Sequence, residues 1–217
     1  MSNSFNNAPG SAGLMQTVAS IVEGDGEVSA LPVLLRRLGE WLTPDVYTEI
    51  ATPIRVRREQ FLNKDDVFSR HLKLAAAKCG ETGWVLILLD ADDDCPATRG
   101  PEILDRARRV VPHRSVSVVL ANHEYEAWFL AAAQSLDGQR GFRFDPADGV
   151  DPEVPRNAKG WIGHRMVGGV YREITDQPAL TARMDLDQAR ARSRSFRKLC
   201  SEWSRQLGQP PEHVAGP

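Results

Sequence analysis

The sequence predicts an α/β layer fold: a mainly parallel sheet of about four strands flanked by helices, continued by a helical C-terminal extension. Three observations carry that expectation. Apolar runs at 15–22, 53–58, 84–89 and 115–121 alternate with stretches of helical periodicity, and strands separated by helices pair in parallel through crossover connections. Trp84 to Leu89 (WVLILL) is apolar without a break, as a strand covered on both faces must be. Acidic residues follow three of the runs, which places one kind of chemistry at one end of the sheet.

From the N-terminus, residues 1–13 are rich in Ser, Asn, Gly and Pro and read as a disordered tail. Met15 to Val22 is a short buried strand stopped by Glu23-Gly24-Asp25-Gly26. Leu31, Leu34, Leu35 and Leu38 recur at helical spacing, with Pro32 tolerable in a first turn. Pro53 to Arg58 alternates apolar and basic residues as a strand does. Lys64 to Cys79 reads as a helix with Val67, His71, Leu74 and Lys78 along one face, stopped by Gly80. After the strand at Trp84 come a helix over Pro101 to Val111, a strand over Ser115 to Ala121 and a helix over Glu124 to Ala133. Residues 14–134 would then be the α/β core. Ser135 to Gly160 carries four glycines and three prolines and reads as a long loop, a feature often functional in compact domains. Residues 161–207 read as a helical extension broken around Gln177-Pro178, and 208–217 as a flexible tail.

With 217 residues, 41% of them hydrophobic, the chain can bury a core without disulfides or structural metal. Cys79, Cys95 and Cys200 supply neither a disulfide framework nor a C-x-x-C pair, which suits a reducing, cytoplasmic setting. The start carries no positive charge before its first apolar run and is not a secretory signal. No apolar stretch approaches the roughly 18 to 20 residues that span a bilayer, so no membrane role is expected. The net charge of -2 conceals segregation: Glu81 to Asp94 holds five acids and no base, while Arg183 to Arg205 holds seven bases against three acids. Such poles suit a cation at one and an anionic partner at the other.

Polar sites of parallel sheets gather beyond the carboxyl ends of the strands. Glu23 and Glu27 follow the first strand, Asp90 and Asp92 the third, and Glu124 and Glu126 the fourth. On an extended backbone Asp90 and Asp92, two apart, emerge on the same side. Hard oxygen donors in this arrangement suit magnesium or manganese (Mg2+ or Mn2+), and without an ion their crowding should raise some carboxylate pKa values. One of Glu124 and Glu126 is expected to join the site, Glu124 being the candidate metal ligand. Asp93 and Asp94 read as solvated acids before a helix, and Trp128 and Phe129 as core. The start of a G-x-G-x-x-G pattern at Gly24 and Gly26 fails at Ser29, and no Walker loop, G-x-S-x-G elbow or H-E-x-x-H is present. The basic tail is either a solvated helix face or a surface for phosphates.

An apolar strand into Glu23-Gly24 with a second acid at Glu27, then a strand into Asp90-x-Asp92, resembles the TOPRIM domain of topoisomerases, primases, small ribonucleases and overcoming-lysogenization-defect nucleases. The segments VEGDGEVSALPVLLRRL, ILLDADDD and ANHEYEAWFLA resemble more closely a bacterial TOPRIM-like family of unknown function, often encoded beside an ABC-type ATPase and suspected of phage defence. The likeness continues through Lys159-Gly160-Trp161, Met184-Asp185-Leu186 and Ser195-Phe196.

The resemblance implies a metal-bound or general acid/base role for Glu23, magnesium ligation by Asp90 and Asp92, and a ligand or orienting role for Glu27. Lys159 is the candidate for the cation that stabilises phosphorane-like charge. The implied activity is magnesium-dependent hydrolysis of phosphodiesters, with the nucleic-acid backbone held by Arg55, Arg57, Arg58, Arg190, Arg194 and Arg197. Implied partners are nucleic acid, DNA or RNA, and an ABC-type ATPase; a homo-oligomer is possible. Two other readings stay open: a non-catalytic regulatory or sensor subunit of an ATPase complex, and a metal-dependent phosphatase.

Overall fold

The computed structural model describes residues 16–208, so Met15 and the predicted terminal tails, Gly208 apart, lie outside the described residues. Three strands, β1 (Gln16–Val22), β4 (Trp84–Asp90) and β5 (Ser115–Ala121), lie side by side and parallel. On the other edge of β1, β2 (Thr48–Ile50) pairs with Gln16–Val18 and β3 (Ile54–Arg55) with Ile21–Val22. These two are one edge strand interrupted at Ala51-Thr52-Pro53, where a proline that cannot donate to the ladder does least harm. Five strands therefore fill four positions, with β1 and β4 in the middle.

Nine helices among the described residues cover the sheet: α1 (Asp25–Leu42), α2 (Arg58–Asn63), α3 (Asp65–Lys78), α4 (Pro96–Val110), α5 (Ala127–Ala131), α6 (Ala158–Arg165), α7 (Glu173–Thr181), α8 (Leu186–Arg192) and α9 (Arg194–Leu207). Alternate strand residues point to opposite faces, and the sheet divides two cores accordingly. Val18, Val22, Leu86, Leu88 and Val119 join the leucines of α1 and the interior residues of α5 to α9. Ala19, Ile21, Val85, Ile87, Leu89, Val118 and Leu120 join Phe61 of α2, Phe68 and Leu72 of α3 and Ile103 of α4. The C-terminal helices thus share a core with the sheet. None of the described helices is long and apolar enough to cross a membrane.

Several boundaries differ from the sequence expectation. Helix α1 starts at Asp25 because Glu27 Oε2 accepts the Gly24 N–H at 2.6 Å, and Pro32 consequently lies inside the helix rather than in its first turn. The full burial of Leu31, Leu34, Leu35 and Leu38 offsets the intrahelical bond that Pro32 cannot make. Helix α4 starts at Pro96, a position that suits proline, and carries Pro101 within it. The predicted strand over Pro53 to Arg58 shrinks to two residues because α2 begins at Arg58. In α3 the buried face runs through Phe68, Leu72, Ala75 and Ala76, whereas Leu74 is 48% exposed. Helix α5 is five residues long, which leaves Glu124 and Glu126 in the turn before it. The expected break at Gln177-Pro178 falls instead at 182–185, between α7 and α8. The predicted loop over 135–160 holds short 3-10 turns and the start of α6.

Helix α9 is fastened to β5 by a buried acid. Glu202 Oε2 accepts the Ser117 hydroxyl at 2.5 Å and the Arg205 guanidinium, while Lys198 binds Oε1 at 2.6 Å. Burial alone would raise the Glu202 pKa, but these bonds hold it below the ordinary range.

Two glycines separate a required close approach from a free position. A Cβ at Gly83 would lie 1.9 Å from the Cys79 carbonyl oxygen and 2.5 Å from that of Thr17, so Gly83→Ala should destabilise by about 3 kcal/mol or more. Nothing lies within 4 Å of a Cβ at Gly100, inside α4, and Gly100→Ala should stabilise by up to about 1 kcal/mol. Urea midpoints of the two variants check both statements.

Candidate active site at the carboxyl ends of the strands

The pairing of Ile21 with Ile87 brings Glu23, just past β1, and Asp90, the last residue of β4, to the same end of neighbouring strands. Adjacent strands lie about 5 Å apart, so the two carboxylates start close together. Asp90 Oδ1 accepts the Tyr125 N–H at 2.8 Å. Its pKa is pushed well above the ordinary range by burial and then by the charges of Glu126 and Glu27; Lys159 opposes the rise and Glu23 adds to it. Glu23 is raised by burial and by Asp92, with Arg58 opposing, and its Oε2 is buried without a hydrogen bond.

Behind these two sits a second, deeper pair. Glu27 Oε1 and Glu126 Oε1 both accept from the Gln177 side-chain amide, at 3.2 and 3.0 Å. Glu126 Oε1 also accepts the Tyr171 hydroxyl at 2.9 Å, whereas its Oε2 is buried with no partner. Burial moves the Glu126 pKa up to about 7, against the opposing charge of Lys159 and the Tyr171 bond. Lys159 contacts Glu173 at 3.2 Å. Burial would lower its pKa, but Glu126, Asp90 and Glu173 raise it, so the ammonium stays charged.

Asp92 reaches the site differently from expectation. The chain leaves the extended conformation after Asp90 and Asp92 is left-handed, φ 50°, so the two-residue alternation of a strand does not aim it. Its carboxylate meets Arg58 at 3.3 Å. Arg58, expected among the contacts to nucleic acid, is only 14% exposed and also donates to the Asp90 carbonyl at 3.1 Å and to the Asp94 carboxylate. Asp93 pairs with Arg156 at 2.5 Å.

Glu124 is not gathered with the other acids: its Oε2 accepts the Lys159 backbone N–H at 3.0 Å, anchoring the first turn of α6 and so placing the lysine. Arg55 pairs with Asp25 at 2.9 Å, and Arg57 is exposed at the start of α2. The tail bases have partners within the chain: Arg190 lies over Trp41, Arg194 pairs with Glu153 at 3.6 Å, and Arg197 donates to the Arg190 and Ala191 carbonyls. Trp128 and Phe129 are core, and the Trp128 indole donates to Ser195 Oγ at 2.9 Å, which ties two of the sequence segments together. Tyr171, Glu173 and Gln177 were beyond sequence reasoning. The only hint was polar residues in a segment that must pack.

Glu23, Glu27, Asp90, Asp92 and Glu126 thus share one electrostatic neighbourhood with two cations, Lys159 and Arg58. Among the described residues no three carboxylate, imidazole or thiol groups are drawn around one point as the ligands of an ion are. Chemically the cluster offers hard oxygen donors, carboxyls poised to exchange protons near neutrality, and one fixed positive charge.

A family model described as a domain of unknown function, DUF4276, matches residues 22–203, a span that includes every residue of this cluster. No curated protein and no solved structure matches the chain.

Glu126 titrates near 7 in the fold against an ordinary value of 4.5, so between those values the folded chain holds more protons and stability falls as pH rises. Glu126→Gln keeps an acceptor for Tyr171 and Gln177 while removing that penalty. Relative to the parent, the variant should gain about 3 kcal/mol between about pH 4 and about pH 8. Urea denaturation at the two pH values checks the sign; a difference independent of pH would show that Glu126 does not titrate there.

Proposed function

The chain belongs to the DUF4276 family of domains of unknown function, so its activity has to be read from the site, and we propose a metal-dependent phosphodiester hydrolase of the TOPRIM type acting on nucleic acid. The observation that carries this reading is the meeting of Glu23 and Asp90 on neighbouring strand ends, with Asp92, Glu27 and Glu126 adding negative charge and Lys159 among them. The sequence resemblance to TOPRIM nucleases supports it independently.

The residues fit Mg2+ or Mn2+ by chemistry. Glu23 Oε2 and Glu126 Oε2 are buried acceptors without a partner, and the crowded carboxyls are raised for want of positive charge. Glu23, Asp90 and Asp92 would hold the ion, with Glu27 next in reach. When bound, it would polarise the phosphate and lower the pKa of water.

The other roles fall to the chain itself. Glu23, raised by its surroundings, accepts the proton of the attacking water. Lys159, kept charged by three acids, offsets the negative charge that builds on the phosphoryl oxygens. Arg55 and Arg57, at the rim beside β3, hold neighbouring phosphates of the backbone. The place of such an enzyme in phage defence, with an ABC-type ATPase as partner, rests on the same resemblance.

A second reading, a non-catalytic subunit of an ATPase complex, has one observation in its favour. A cleft of about 530 Å3 opens between α4 and α9 beside the edge strand β5, with Leu104, Val118 and Leu120 inside and Arg108, Arg194 and Lys198 on its walls.

Asp90→Asn preserves the acceptor for the Tyr125 N–H but removes charge. The proposed enzyme should lose at least about a hundredfold of its Mg2+-dependent cleavage while becoming more resistant to urea. Glu23→Gln should cost a similar factor, and the double variant little more, because both groups serve one reaction. Cleavage indifferent to both substitutions would refute the hydrolase. Turnover of small phosphate esters but not of nucleic acid would make it a phosphatase, and ATPase binding with no hydrolysis of either would favour the subunit.

A further inference from the structure

Two of the three non-glycine residues with positive φ among the described residues are Asp92, at 50°, and His123, at 59°. They lie 31 positions apart in sequence and are bonded to each other twice. The Asp92 N–H donates to the His123 carbonyl at 3.0 Å, and His123 Nδ1 stands 2.7 Å from the Asp92 carbonyl oxygen. Since a carbonyl only accepts, Nδ1 must carry the hydrogen, and the neutral ring keeps its lone pair on Nε2.

A left-handed backbone costs an ordinary residue about 1 to 2 kcal/mol, less for aspartate, and it persists where the surroundings impose it. Little else imposes it on Asp92. Its side chain is 60% exposed, so packing does not aim the carboxylate and the backbone does. Arg58 holds the carbonyl of Asp90 at 3.1 Å and that of Ala91 at 3.5 Å, but it does not reach that of Asp92. His123 takes that last carbonyl, so each of the three in the Asp-Ala-Asp segment has a side-chain donor.

We propose that His123 is a positioning residue for Asp92: its Nδ1–H bond to the Asp92 carbonyl fixes the left-handed turn that directs the Asp92 carboxylate toward Arg58 and Glu23. Without it the turn relaxes toward right-handed or extended geometry and the carboxylate swings into solvent. The strap is a property of the fold. Its consequence for an ion rests on the hydrolase reading given above.

The test has a part that needs no metal. Long-range 1H–15N spectra of the labelled full chain should show neutral His123 as the Nδ1–H tautomer; the Nε2–H tautomer would overturn the proposal. His123→Asn and His123→Ala then separate positioning from mere filling of space, because asparagine accepts left-handed geometry and can donate from its amide. Manganese titration followed by electron paramagnetic resonance should show binding about tenfold weaker or worse for His123→Ala and within about threefold of the parent for His123→Asn. Equal loss in both variants, or no loss in either, would overturn the proposal. If the parent chain binds no manganese, the hydrolase reading falls while the tautomer still decides on the strap, as it does if His123→Ala fails to fold.

Discussion

Like charges held close together out of water govern this molecule. Glu23, Glu27, Asp90, Asp92 and Glu126 come from three strand ends and the first turn of α1, and each raises or is raised by its neighbours. Folding must bring these strands together, so it cannot avoid the repulsion; it can only supply donors and cations. The Gln177 amide bridges Glu27 and Glu126, Tyr171 adds a hydroxyl, and Lys159 and Arg58 bring positive charge. All but Arg58 come from the segment after residue 157. That explains why the C-terminal helices share the core of the sheet: without them the deeper acids would be buried with nothing to bond.

A chain optimised for stability alone would not keep this arrangement. Replacing a buried, unpartnered carboxylate by an amide commonly stabilises, and Glu126 leaves one oxygen with no partner inside a packed core. Structural acids look different here. Glu202 is also buried, yet three donors hold its pKa below the ordinary range, and Asp176 is held by Arg140 and the Arg172 N–H. The direction of the pKa displacement separates acids that fasten helices from acids that await a positive charge.

Much of this was legible in the sequence because it is local. The apolar run of β4 and the acid at its end need only the period of a strand and the habit of parallel sheets. Asp92 was singled out on a premise that the backbone does not meet, since extended alternation stops at Asp90. The choice between Glu124 and Glu126 turned on the turn preceding α5, whose length a sequence pattern does not fix: one residue faces the α6 backbone and the other the core. Pro32, Pro101 and Pro178 all lie inside helices, because burial on neighbouring turns outweighs one missing bond, an exchange visible only once the packing is known. Gln177 was hidden for a different reason. It lies 150 positions from Glu27, and nothing in its own surroundings marks a glutamine that bridges two acids.

The two cations of the site are not equivalent, and the difference suggests which one yields. Arg58 is 14% exposed and is tied to main-chain carbonyls as well as to Asp92 and Asp94, so moving it would loosen the loop that carries Asp92. Lys159 is 31% exposed, contacts only Glu173 through its ammonium, and affects Asp90 and Glu126 at longer range. An incoming positive charge would weaken the attraction of those acids for Lys159 without disturbing Arg58. The lysine could then lean toward a bound anion while its backbone stays anchored to Glu124. One cation therefore belongs to the scaffold of the site and the other to its chemistry.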